Sequence, residues 1–268
     1  MAEARFGGLA PRITSALVLI PVALLATWAG GWAFFGLVLL AGGLMLAEWD
    51  RMAGMPLDWR AAAKIALFAV ALLAMESLHP GLAFLAIVAA AAIAGCLAAA
   101  WRHSPGWAAA GVIYIGLPCV ILIWLREQPP QGLPLVLWLL ALVWATDSGA
   151  YAAGRLLGGP KLAPRISPNK TWAGLFGGVA GAMLVGAAAA AWSDIAAFPV
   201  LVPASGMLAA VAQIGDLMES AVKRHFKVKD AGRIIPGHGG ALDRLDGMLF
   251  AVPVAALMLL FSGASAWR

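Results

Sequence analysis

The fold class is set by an uncharged stretch in the middle of the chain, Gly81-Leu-Ala-Phe-Leu-Ala-Ile-Val-Ala-Ala-Ala-Ala-Ile-Ala-Gly-Cys-Leu-Ala-Ala-Ala-Trp101. An α-helix needs roughly 20 consecutive apolar residues to cross a bilayer, so this stretch predicts a transmembrane helix. The whole chain of 268 residues is similar, with 63% hydrophobic residues, 12% charged residues and a mean hydropathy of +0.90. Because a soluble domain carries about 25% charged residues, the composition indicates an integral membrane protein.

Further apolar stretches flank this one on both sides. Together they predict about nine transmembrane spans, at residues 13–30, 32–48, 62–76, 81–101, 107–125, 132–147, 172–192, 196–214 and 247–263. We therefore predict an all-α, polytopic membrane protein with about nine transmembrane helices.

The basic residues predict the orientation of these helices. If the N-terminus is cytoplasmic, 16 of the 18 Lys and Arg residues fall in cytoplasmic segments, and only Arg126 and Arg268 lie outside. This asymmetry follows the positive-inside rule, so we predict a cytoplasmic N-terminus. The net charge of +5 is spread over many short loops. It forms no single basic face, which argues against nucleic acid as a partner.

Polar residues are concentrated in the second half of the chain. Residues 1–130 are predicted to form about five transmembrane helices with short loops. Residues 131–268 contain two long cytoplasmic polar segments, 147–171 and 213–246, which hold ten of the 18 basic and six of the 13 acidic residues. We therefore predict that the chemistry of this protein lies in the second region, at the cytoplasmic face.

The segment that follows the eighth span has helical periodicity. At 100° per residue, one stripe within about 80° contains five polar residues, Gln213, Asp216, Ser220, Lys223 and Lys227. A carboxylate near the hydrocarbon boundary is costly unless it is paired or bound to a cation, which favours a functional role for Asp216. The alternative is a solvated helix face with ordinary ion pairs such as Glu219–Lys223.

A glycine-rich turn precedes the ninth span, Pro236-Gly237-His238-Gly239-Gly240. Such a turn lets backbone N–H groups approach a ligand closely. Asp243 and Asp246 follow it three residues apart, so they point the same way on a helix. If these aspartates converge with Asp216 from another helix, their oxygens form a site that suits Mg²⁺. One acid there could instead complement the helix dipole, and His238 fits capping, phosphate contact or proton donation.

The other polar segment contains Asp147-Ser-Gly-Ala-Tyr151 and ends at Thr171, a predicted N-cap of the seventh span. A helix N-terminus with Lys161, Arg165 and Lys170 nearby is an anion site, although these cations could equally bind lipid headgroups. The sequence contains no GxGxxG, Walker A, GxSxG or HExxH motif. Metal-ligating acids, cations and flexible backbone at a membrane surface suit phosphoryl or nucleotidyl transfer.

These segments also resemble a known family. The stretch from Ser220 to Asp246 reads Ser-Ala-Val-Lys-Arg-His-Phe-Lys-Val-Lys-Asp-Ala-Gly-Arg-Ile-Ile-Pro-Gly-His-Gly-Gly-Ala-Leu-Asp-Arg-Leu-Asp. It resembles the signature of the phosphatidate cytidylyltransferase (CDP-diacylglycerol synthase) family. Asp147-Ser-Gly-Ala-Tyr151 and Ser167-Pro-Asn-Lys170-Thr171 resemble the loop that precedes this signature.

The resemblance implies a reaction in phospholipid biosynthesis. CTP and phosphatidic acid would give CDP-diacylglycerol and pyrophosphate, with one or two Mg²⁺ ions as cofactor. The expected location is the bacterial inner membrane, with the active site on the cytoplasmic face. Membrane lipids are further expected partners, and the resemblance also implies a homodimer.

The resemblance assigns three groups of site residues. The expected metal ligands are Asp216, Asp243 and Asp246. The expected catalytic residues are Asp243, Asp246, Lys223, Arg224, Lys229, Arg244 and His238. The expected substrate-binding residues are Ser220, Lys170, Ser167, Thr171, Gly239, Gly240 and Asp147. Two alternatives stay open: a CTP-dependent transferase that acts on another lipid phosphate, such as an isoprenoid phosphate, and a polytopic cation or substrate transporter.

Overall fold

A computed structural model describes residues 9–77, 80–232, 234 and 239–261, with side chains from residue 14 onward except at 76, 77 and 80. The described residues form nine α-helices and one two-stranded antiparallel hairpin. In chain order the elements are α1 (Leu9–Ala29), α2 (Gly31–Met52), α3 (Trp59–Ser77), α4 (Pro80–Ala100), α5 (Pro105–Arg126), α6 (Gly132–Leu156), β1 (Lys161–Ala163), β2 (Ser167–Thr171), α7 (Trp172–Trp192), α8 (Phe198–His225) and α9 (Leu242–Phe261).

Each of the nine predicted spans coincides with one of these helices. Seven of the described helices are long and apolar enough to cross a membrane. The helices also leave large apolar side chains uncovered, including Leu184, which is 73% exposed, and Phe176, which is 65% exposed. Because a soluble surface rarely carries such contiguous apolar patches, these side chains suit contact with lipid. The all-α polytopic class is confirmed.

Three local features differ from the sequence-based boundaries. Helix α6 continues to Leu156, so Asp147 lies within a helix instead of opening a polar loop. Its Ala- and Leu-rich sequence keeps helix propensity beyond the apolar span. Helix α8 ends at His225, and Lys227 lies beyond it with a φ of 58°, so Lys227 does not share the helical stripe. The segment between α6 and α7 also forms the β1–β2 hairpin, in which Lys161 pairs with Thr171.

The chain divides into two compact units. The described residues of Met1–Trp124 and Phe226–Leu245 form the first unit, and those of Leu125–His225 and Asp246–Arg268 form the second. The sequence analysis placed all of residues 131–268 in one region, whereas the contacts group Phe226–Leu245 with the N-terminal helices. Gly239 and Gly240, the described residues of the glycine-rich turn, therefore belong to the first unit.

In the first unit, α2 and α5 pack through aromatic side chains. The Trp49 ring lies 5.4 Å from the ring of Tyr114, and its Nε1 donates a hydrogen bond to the Trp107 carbonyl at 2.8 Å. The Trp107 ring contacts Phe226 at 4.8 Å between centroids. The start of the Phe226–Leu245 segment is thus fastened to α5.

In the second unit, α6 and α7 lie unusually close together. A Cβ atom added to Gly178 would lie 2.9 Å from the carbonyl oxygen of Thr146, and one added to Gly181 would lie 2.9 Å from that of Ala145. Only glycine permits this separation, as is common where membrane helices associate through small residues. The close packing fixes the N-terminus of α7, and with it Thr171, against α6.

Candidate active site

The polar face of α8 contains two side-chain contacts, each between residues four apart. The Nζ of Lys223 lies 3.1 Å from Oε2 of Glu219, whose side chain is completely buried. One turn earlier, the Ser220 hydroxyl donates to Oδ1 of Asp216 at 3.4 Å. Helical residues at this spacing are surface neighbours. The predicted continuation of the helix past the apolar span therefore presents two carboxylates side by side.

The hairpin brings a further polar residue to this face. The Nζ of Lys170, in β2, lies 2.6 Å from Oδ2 of Asp216 and donates to Oε1 of Gln213 at 3.2 Å. The next residue is the N-cap of α7, because the Thr171 Oγ1 accepts a hydrogen bond from the Gly174 N–H at 3.1 Å. This confirms the predicted N-cap and explains how Lys170 is held in place.

Asp246 of α9 joins the same cluster. Its carboxyl lies close enough to Glu219 and Asp216 to interact with both. The Gly247 N–H also donates to Asp246 Oδ1 at 2.7 Å. We call Lys170, Asp216, Glu219, Lys223 and Asp246 the acid–lysine cluster.

The acid–lysine cluster carries more acidic than basic groups. Its three carboxyl groups face two ammonium groups, and each lysine is already paired with one carboxylate. Grouped carboxylates at the end of membrane helices are costly unless positive charge compensates them. The cluster therefore suits a bound cation, and oxygen ligands of this kind suit Mg²⁺.

Asp243 makes different contacts, within the first unit. Its Oδ2 accepts a hydrogen bond from the Gly240 N–H at 2.9 Å and one from the Ala231 N–H at 3.1 Å. A carboxylate in the first turn that accepts from the N–H just before the helix is a capping interaction. In the structure Asp243 therefore organises the turn that precedes α9.

The three expected metal ligands are divided between the two compact units. Asp216 and Asp246 are neighbours, whereas Asp243 belongs to the other compact unit. Among the described residues, no three His, Cys, Asp or Glu side chains are grouped so as to hold a metal ion. Spacing along α9 could predict that Asp243 and Asp246 share a face, but it could not predict which neighbours each one meets.

The remaining predicted residues lie at several places. The Arg224 Nε donates to the Ile166 carbonyl at 3.4 Å, which links α8 to the hairpin that also holds Ser167. Lys229 and Arg244 are exposed in the first unit, and Asp147 is exposed on α6. Gly239 has a φ of 85° and Gly240 is buried. His238 lies outside the described residues.

One functional candidate escaped the sequence analysis. Glu48 of α2 is only 1% exposed, and its carboxylate accepts hydrogen bonds from the N–H groups of Ala241 and Leu242 at 3.0 and 2.8 Å. An acid at the end of a predicted span was a signal that could have found it, because a carboxylate in an apolar helix needs a partner.

The sequence is similar to a known family and to several known proteins. Residues 10–262 match the model of a family described as the cytidylyltransferase family. A phosphatidate cytidylyltransferase from Brucella suis is 43% identical over 93% of this chain and 92% of its own length. One from Brucella abortus has the same identity and coverage. A phosphatidate cytidylyltransferase from Bacillus subtilis is 42% identical over 59% of each chain.

Proposed function

This chain belongs to the cytidylyltransferase family, and from that membership we propose that it makes CDP-diacylglycerol and pyrophosphate from CTP and phosphatidic acid. The observation that carries the proposal is the 43% identity to phosphatidate cytidylyltransferases across nine-tenths of the chain. The acid–lysine cluster supports it, because carboxylates of the kind that bind Mg²⁺ and ammonium groups of the kind that bind phosphate lie together at the end of membrane helices.

The reaction is a substitution at phosphorus. A phosphate oxygen of phosphatidic acid attacks the α-phosphorus of CTP, and a new P–O bond forms. The bond from the α-phosphorus to the bridging oxygen breaks, and pyrophosphate leaves with that electron pair. Because the attacking oxygen is already anionic near neutral pH, no dedicated general base is required. Catalysis then consists of holding two polyanions together and neutralising their charge.

The cations of the second unit are suited to this task. The Nζ atoms of Lys170 and Lys223 lie 2.6 and 3.1 Å from carboxylate oxygens of Asp216 and Glu219. Pairing of this kind fixes long side chains before the substrate arrives, which reduces the entropy lost on binding. We assign Lys170, Lys223 and Arg224 to the phosphates of the substrates, and Lys229 and Arg244 to the same role in the first unit.

We also propose that Asp216 and Asp246 hold Mg²⁺. Magnesium is usually bound by one or two protein carboxylates together with substrate phosphates, so a site without three protein acids fits its chemistry. When bound, the ion neutralises phosphate charge. Asp243 stays a predicted third ligand. In that role its carboxylate would bind the ion as well as accept the hydrogen bonds from the N–H groups of Ala231 and Gly240.

The cellular location follows from the chain's apolar helices and its basic residues. The protein is an integral membrane protein, and we propose that it lies in the bacterial inner membrane with its active site on the cytoplasmic face. The excess of Lys and Arg in the predicted cytoplasmic segments supports this orientation, as does the presence of CTP in the cytoplasm. We further propose a homodimer, which the mass of the protein in detergent would test.

The test of the reaction uses purified protein in mild detergent, with phosphatidic acid, radiolabelled CTP and Mg²⁺. Label should enter the lipid phase, EDTA should abolish the transfer, and Asp246→Asn should strongly reduce it. Asp194→Asn is the matched control, since Asp194 is an exposed aspartate in the connection between α7 and α8. Transfer to an isoprenoid phosphate but not to phosphatidic acid would change the substrate. Failure of folded protein to label any lipid would overturn the proposed reaction.

A further inference from the structure

We propose that Glu48 is a positioning residue for the Gly239–Leu242 turn, although it lies in α2, far from the turn in sequence. Its two carboxylate oxygens accept hydrogen bonds from the N–H groups of Ala241 and Leu242, at 3.0 and 2.8 Å. Glu48 and these two residues are separated by 193 and 194 positions. The contact is therefore tertiary, and no local capping motif supplies it.

The chemistry of both partners explains this contact. The first N–H groups of a helix have no partner within the helix, and they carry the positive end of its dipole. A buried carboxylate in an apolar helix needs positive charge or donors around it. Glu48 is 1% exposed, and the start of α9 supplies what it needs. The first turn of α9 and the carboxylate thus stabilise each other.

The chain around Glu48 is shaped to accept its carboxylate. A Cβ atom on Gly240 would lie 2.6 Å from Oε2 of Glu48, and one on Gly232 would overlap Oε1. On the far side of the turn, Asp243 accepts hydrogen bonds from Ala231 and Gly240. Two carboxylates, from α2 and α9, therefore hold the backbone N–H groups of Ala231 and of residues 240–242.

The inference rests on the proposed function, because the turn matters to activity only if it binds substrate phosphate or metal. Glu48 has no assigned contact with substrate. It acts through the backbone N–H groups that it holds, so a change at Glu48 alters the shape of the turn without altering the charge of the acid–lysine cluster. This separates Glu48 from Asp216 and Asp246, whose loss changes the metal requirement.

The first test replaces Glu48 by glutamine, which has the same size but turns one acceptor oxygen into an amide that cannot accept. Loss of one charge-assisted hydrogen bond should accelerate hydrogen exchange of the Ala241 and Leu242 amides by about tenfold or more. Activity per folded protein should fall by about the same factor. The half-saturating Mg²⁺ concentration should change by no more than about twofold, well below the tenfold effect of one such hydrogen bond. The reason is that Glu48 lies outside the acid–lysine cluster.

The matched control is the double variant Asp50→Asn/Lys64→Gln. Asp50 lies two residues from Glu48 and forms a buried ion pair with Lys64, at 2.5 Å. Replacing both partners together leaves no unpaired buried charge. Unchanged amide exchange in Glu48→Gln, or equal acceleration in the control, would overturn the proposal. An inactive wild-type protein would instead refute the proposed reaction.

The second test does not require Glu48→Gln to fold. Gly232→Ala should reduce activity because its methyl group collides with the Glu48 carboxylate. In a Glu48→Asp background the side chain is shorter by one methylene, so its carboxylate lies farther from residue 232. The loss of activity caused by Gly232→Ala should therefore be about tenfold smaller in this background, as expected for two residues in direct contact. Equal costs of Gly232→Ala in the two backgrounds would show that this contact does not shape the turn.

Discussion

Replacement of Lys170 by glutamine should reduce kcat/KM for CTP by about ten- to thirtyfold. The Lys170 ammonium lies 2.6 Å from Asp216 Oδ2, and the two side chains are 17% and 34% exposed. At an effective dielectric constant of about 20, the Coulomb attraction at this distance is about 6 kcal/mol. Desolvation cancels most of it, and hydrogen bonds to charged groups contribute about 1.5–3 kcal/mol net. A charge-assisted hydrogen bond from Lys170 to a substrate phosphate falls in the same range, and the partial exposure of Lys170 places its loss at about 1.5–2 kcal/mol, where 1.4 kcal/mol is a factor of ten.

The predicted loss of activity in Lys170→Gln has an electrostatic cause. Without Lys170 the acid–lysine cluster has three carboxyl groups and one ammonium group, so it repels the triphosphate and no longer orients Asp216. Transfer of label from CTP to lipid measures the effect at saturating Mg²⁺. Lys170→Arg should reduce kcat/KM less than Lys170→Gln does, because arginine keeps the positive charge and changes only its geometry.

Lys161→Gln is the matched control for this prediction. Lys161 is exposed on β1 of the same hairpin, opposite Thr171. Its loss should change kcat/KM by no more than about threefold, as for other exposed charges. Equal losses for Lys161→Gln and Lys170→Gln would refute the reasoning, because they would show a general effect of basic charge. Full activity of Lys170→Gln would refute it as well.

Three further predictions concern the metal and the helices. Asp216→Asn and Asp246→Asn should each raise the half-saturating Mg²⁺ concentration by about tenfold or more, since each removes a carboxylate ligand; an unchanged Mg²⁺ titration of the residual activity would exclude both as ligands. Thr171→Ala should lower the stability of the protein by about 1 kcal/mol through loss of the α7 N-cap, and thermal unfolding in detergent would measure this change. Thr171→Ser should retain most of the wild-type stability. Gly178→Val should cost about 1–3 kcal/mol or more by forcing α6 and α7 apart. Ala188→Val, at an exposed position of α7, should be nearly neutral in the same assay, and equal effects would contradict the close packing.

Local patterns predicted those parts of the site that depend on neighbours in the chain. The 100° periodicity placed Gln213, Asp216 and Ser220 on one face of α8, and the helix runs through them. Thr171 was recognisable as an N-cap from its position before an apolar helix. The same reasoning extended the stripe to Lys227, which is wrong because α8 ends two residues earlier. Periodicity contains no information about where a helix stops when polar residues continue.

Composition was sufficient for the membrane class, because the cost of exposing apolar residues to water adds up residue by residue and requires no knowledge of contacts. The long signature from Ser220 to Asp246 was likewise sufficient for the family, which the comparisons confirm. Pairings between distant residues were decided by tertiary packing alone. Lys170 meets Gln213 across 43 positions, and Glu48 meets Ala241 across 193. No local preference encodes such pairs, because each forms only after tertiary packing has brought the two residues together.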